Sequence, residues 1–172
     1  MAGVFGGRGG RILLGLGGVV AAALAVSWLA APRLDWPTMD QEIQRLGSRA
    51  IVDRLIARHR FLEVVQAAAH GDPAAIAMAP KLVSGADALH QRELTVALAL
   101  ALPKTPRAVL SAIEAGAPYF PPEAVCAMPF TAREGPDRKA YRAEATRGLN
   151  ALADPDLADV RSACANVLAV AP

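Results

Sequence analysis

The sequence predicts an all-α protein in which a transmembrane or signal helix is followed by a small irregular helical bundle. Three observations carry that expectation. Residues 12–31 contain no charge, and the pairs Asp72-Pro73, Thr105-Pro106 and Asp154-Pro155 each join a helix-capping residue to a proline. Between them, apolar residues recur every three or four positions, the spacing of a helix face. A length of 172 residues fits one domain behind that first segment.

Glycine and proline divide the chain near Pro32. Eight of the fourteen glycines precede residue 19, whereas all thirteen prolines follow residue 31. The formal charge of +2 comes from the same asymmetry, because Arg8 and Arg11 belong to the first piece and residues 32–172 carry 16 basic and 16 acidic side chains. A domain that binds phosphates needs a basic face, so this balance argues against nucleic acid as a partner.

Residues 1–11, MAGVFGGRGGR, form a short, flexible, basic start. The apolar run that follows would make a helix about 30 Å long, the thickness of a bilayer core. Arg8, Arg11 and the amino terminus hold that end in the cytoplasm, so the chain beyond Pro32 is expected across the membrane. The length of the run, and Trp28 at an interface position, favour an uncleaved anchor. A cleaved signal peptide is the alternative, but cutting after Ala30 or Ala31 would put Trp28 or Leu29 where a small residue is wanted. Gly17, Ala21 and Ala25 share one helix face and would let a second copy approach closely, a candidate homodimer contact. Alanine and glycine are also ordinary filler in such segments.

Residues 32–37, PRLDWP, read as a linker, and residues 38–172 as the exported helical domain. Thr38 and Gln41 have the spacing of a capping box. Ile43, Leu46, Ala50, Leu55, Leu62 and Val65 then predict one long helix or two ending at Gly71, with Gly47 or the Arg58-His59-Arg60 triplet as interruptions. Asp72-Pro73 opens a short helix that Pro80 should limit. From Leu94 to Leu102 leucine and valine alternate as in a strand, but the intervening residues are mainly alanine, a strong helix former, so a buried central helix is expected. Thr105-Pro106 starts a helix closed by Gly116. The proline-broken stretch 118–129 has room for a turn or two. Pro136 opens a helix with Tyr141, Ala145, Leu149 and Leu152 inward, and Asp154-Pro155 opens the last, with Leu157, Val160, Cys164 and Val167 or Leu168 inward. The repeated proline punctuation suits stacked HEAT-like hairpins, although its intervals are unequal.

Candidate chemistry is sparse. On one continuous helix, His59, Glu63 and His70 would share a face, but the two histidines would stand roughly 16 Å apart, too far to bind one metal ion. His59 with Glu63 could hold a metal only if another segment added ligands; a solvated charged face is the simpler reading. Asp87, His90 and Glu93 lie one turn apart, as a general base oriented by a carboxylate requires. First-turn acids also favour the helix dipole without any function. No serine stands in a nucleophile-elbow context and no glycine-rich phosphate loop follows a strand. No cofactor is implied. Two cysteines in an exported domain are expected to pair, so Cys126 in the irregular stretch and Cys164 in the last helix form the candidate disulfide.

The run GDPAAIAMAPKLVSGADALHQRELTVALALALPKTPRAVL, with VCAMPF and ADPDLADVRSAC after it, resembles a group of uncharacterised exported helical proteins of proteobacteria. The resemblance covers roughly residues 70–165 and brings no activity with it. It implies a bacterial inner-membrane setting with the helical domain in the periplasm, or release there if the signal is cleaved. The expected function is a tethered accessory or protein-interaction module of the envelope. The alternatives are a small enzyme using Asp87, His90 and Glu93, or a ligand or metal carrier.

Overall fold

The structure, a computed structural model, describes residues 34–171. The expected anchor at 12–31, its Gly17, Ala21 and Ala25 face and the basic start lie outside them. Among the described residues there are nine helices and no strand, and no helix is long and apolar enough to cross a membrane.

Helix α1 spans Trp36–Leu46 and begins inside the expected linker. Asp35 caps it, its carboxylate accepting from the Thr38 amide at 3.4 Å and the Thr38 hydroxyl at 2.6 Å. Thr38 is therefore capped rather than capping. Asp is the stronger N-cap, and Pro37 in the first turn has no N–H to leave unsatisfied. Gly47, at φ 83, turns the chain into α2, Ser48–Ala57. The Arg58–Arg60 turn then leads into α3, Phe61–His70. Both suspected interruptions are real breaks, so the expected one or two helices are three.

Helix α4 spans Pro73–Val83 and runs through Pro80, which was expected to limit it. A mid-helix proline costs about 3 kcal/mol. Continuing past it buries Leu82 and Val83 completely, each worth roughly 1.5 to 3 kcal/mol, so packing outweighs the lost hydrogen bond. Helix α5 is Ala88–Ala101, capped by Asp87, and it holds the alternating stretch up to Ala101, with Leu102 as its C-cap. Leu94, Val96, Ala97, Leu98, Ala99 and Ala101 are all buried, as a central helix requires. Helix α6 is Pro106–Ala115.

Alternate helices stack. Helix α3 packs most extensively on α5, and α4 on α6, so two consecutive hairpins lie one on the other. Their turns touch as well: Lys104 Nζ donates to the Ala69 carbonyl at 2.9 Å, and a Cβ on Gly71 would stand 3.3 Å from Lys104 Cβ. The 33-residue interval between Asp72-Pro73 and Thr105-Pro106 thus has a physical meaning, because those turns are stacked equivalents. The longer second interval contains an irregular strap, residues 116–137.

Within the strap, α7 is a single turn, Pro122–Val125. Phe120, Val125, Met128 and Phe130 are buried against the helices while Tyr119 is exposed, so the aromatics here mostly fill the core. Helix α8, Arg138–Ala151, takes Asp137 as its cap, one residue after Pro136. Tyr141, Ala145 and Leu149 point inward, and Tyr141 donates to the Ala99 carbonyl at 2.6 Å. Burial pushes the Tyr141 phenol well above its ordinary pKa. Helix α9, Ala158–Val170, starts later than Asp154-Pro155 suggested; those two residues form a preceding turn in which Asp154 accepts from the Asp156 amide. Leu157, Cys164 and Leu168 are buried and Val160 and Val167 are half-buried. The sulfurs of Cys126 and Cys164 are bonded at 2.06 Å and both residues are fully buried, so the strap is joined to α9.

Candidate functional site

Asp87 shapes the site most directly. Its Oδ1 accepts the His90 amide at 3.0 Å, which caps α5, and stands 2.7 Å from His90 Nδ1. The backbone hydrogen bond from His90 and then the contact with its ring hold the Asp87 carboxyl below its ordinary value. Because an ionised carboxylate only accepts, Nδ1 carries a proton toward it, and Nε2 is an acceptor in the neutral form of the ring. The edge of the ring pair fixes the other side: Phe61 meets His90 in a T-shaped contact, centroids 4.7 Å apart and planes at 80°.

His59 arrives from the turn between α2 and α3. Its φ of 55 places it in the left-handed region, and the turn is closed by its own amide donating to Ile56 and by Arg60 donating to Leu55. That break places His59 off the helix that carries Glu63 and His70, so the continuous face expected for those three does not exist. Glu63 instead pairs with Arg60 at 2.8 Å, and its hydrogen bonding pushes the Arg60 pKa up. His70 Nδ1 lies 2.7 Å from the Gln66 carbonyl.

What the turn does is bring His59 beside the second cluster. Ile56, His59, Phe61, Leu62, His90 and Glu93 line an open cavity of about 300 Å³. Two groups that are separate in the sequence, His59 and the His90-Glu93 pair, line one cavity. Phe61 lines the same cavity and packs on His90. The 33-residue stacking interval holds the signal for this meeting: it sets His90 and Glu93 opposite positions 57 and 60. Among the described residues no three His, Cys, Asp or Glu side chains are grouped to hold a metal ion.

A second concavity of about 340 Å³ lies between α4 and α6. Pro73, Ala77, Pro80 and Lys81 form one wall and Ala108, Ser111, Ala112 and Ala115 the other. Small residues recur along α6 at i, i+4 and i+7, as Ala108, Ala112 and Ala115, a pattern that is silent in the sequence because alanine carries no chemistry of its own. Lys81 at the rim bonds Asp40 of α1 at 2.5 Å. Compared with known proteins, the chain matches no family model, no curated protein and no solved structure.

Proposed function

We propose that this chain is a membrane-tethered helical module of the bacterial envelope that docks an apolar helix of another envelope protein. The observation that carries the reading is the α4–α6 groove. Its walls of alanine and proline allow close backbone approach, and the regular spacing along α6 suits the ridge of a partner helix bearing larger apolar side chains. The uncharged run 12–31 supplies the tether, with the helical domain on the periplasmic side, and the Cys126–Cys164 bond is the kind of link an oxidising compartment maintains. Two stacked hairpins also suit a HEAT-like interaction scaffold.

A photo-crosslinking residue at Ser111, inside the groove, is expected to capture one envelope protein in native membranes. The same residue at Ser162 on α9 should not capture it. Ala108→Trp, which fills the groove, should abolish the Ser111 product. Equal capture from both positions, or a product that survives Ala108→Trp, contradicts docking at the groove.

A second reading rests on the 2.7 Å contact between Asp87 and His90, the arrangement of an oriented general base. An envelope activity that persists undiminished in a His90→Ala variant rules out catalysis by this pair.

A further inference from the structure

We infer that the cavity between the α2–α3 turn and α5 is a binding site for a small organic cation, a primary ammonium on a short apolar body. The walls divide by chemistry. Ile56, Phe61 and Leu62 offer apolar surface, while Glu93 and His90 bring a carboxylate and an imidazole from the facing helix α5. Asp87 engages His90 at Nδ1, which in the neutral ring leaves Nε2 as an acceptor. An ammonium brings three donors and a positive charge, and so complements the carboxylate of Glu93.

The neighbouring cations do not reverse this balance. Arg60 is drawn onto Glu63 at 2.8 Å, and Arg92 onto Glu134 at 3.3 Å. Arg58 is exposed, where water and salt screen it. The cavity, at about 300 Å³, is at the small end of ligand sites and suits a body of one ring or a short alkyl chain.

Backbone conformation at His59 is an independent observation. Left-handed positions at helix ends usually take glycine, as Gly71 does at φ 91 after α3, yet the turn after α2 takes a histidine at φ 55. A residue held at an unfavourable φ beside a cavity points to a use for its side chain. His59 lines that cavity.

Calorimetric titration of the full-length protein in detergent tests the site, with phenethylamine as the probe and 3-phenylpropionate as its acidic counterpart. Phenethylamine is expected to bind with a dissociation constant on the order of 1 mM or tighter. Glu93→Gln should weaken it about tenfold, the loss typical of a charged hydrogen bond. His59→Gly should also weaken it while melting at or above the temperature of the unaltered chain, which separates lost binding from lost folding. Phenylpropionate binding as well as the amine, no amine binding, unchanged affinity in both variants, or displacement of the amine by micromolar Zn²⁺ would each overturn the assignment.

Discussion

Gly85 shows how much one missing side chain can matter. A Cβ there would lie 2.4 Å from the Arg49 amide nitrogen and 2.5 Å from the Ser48 carbonyl carbon, both backbone atoms that cannot swing aside. The start of α2 is thus pressed onto the turn between α4 and α5, and the Ser48 hydroxyl and Arg49 guanidinium tie it there through the Lys81 and Gly85 carbonyls. Gly85→Ala should cost roughly 1 to 3 kcal/mol, read as a lower midpoint in denaturant. Glu134 offers a test by pH. Its carboxylate accepts the Thr131 amide at 2.8 Å and faces Arg92, which together hold it down to about 2 from an ordinary 4.5. A carboxyl lowered in the fold adds stability that is complete above the ordinary value and is lost as pH falls toward the folded one. Glu134→Gln should therefore melt slightly below the unaltered chain near neutrality, and the two should converge as pH drops from 4.5 to 2. A gap that stays constant over that window contradicts the role given to this contact.

The elements were legible in the sequence where caps and prolines mark them and less so where packing decides. Asp72, Asp87 and Pro106 mark helix starts that the structure keeps. Pro80 misled because a proline's local cost is visible in sequence, whereas the burial of Leu82 and Val83 that offsets it is not. Asp154-Pro155 misled in the other direction, because a capping residue and proline can equally open a turn. The strap from α6 to α8 has little backbone hydrogen bonding of its own beyond isolated turns, and it is kept by buried Phe120, Met128 and Phe130 and by the bond to α9. Closing a 38-residue loop should add about 3 to 4 kcal/mol. Cys126→Ser should lower the melting temperature in oxidising buffer, and reductant should bring the unaltered chain down with it. Equal melting with and without reductant is the outcome that removes the staple.

At the scale of the molecule, the stacked hairpins explain both surfaces. Helices α4 and α6 form one layer and leave the apolar groove between them, while α3 and α5 form the other and bring the α2–α3 turn to His90. Candidate residues could be read from the sequence one helix at a time; their meeting could not, because the stacking interval becomes meaningful only once the two turns are known to touch. A tethered envelope module also requires the first piece of the chain to remain attached and the two cysteines to meet an oxidant. The most direct measurement is non-reducing peptide mapping by mass spectrometry of the native protein from fractionated cells. The expected result is recovery from the membrane fraction, with a peptide covering residues 12–31 present and Cys126 linked to Cys164. Recovery from the cytosol alone with both thiols free would contradict it.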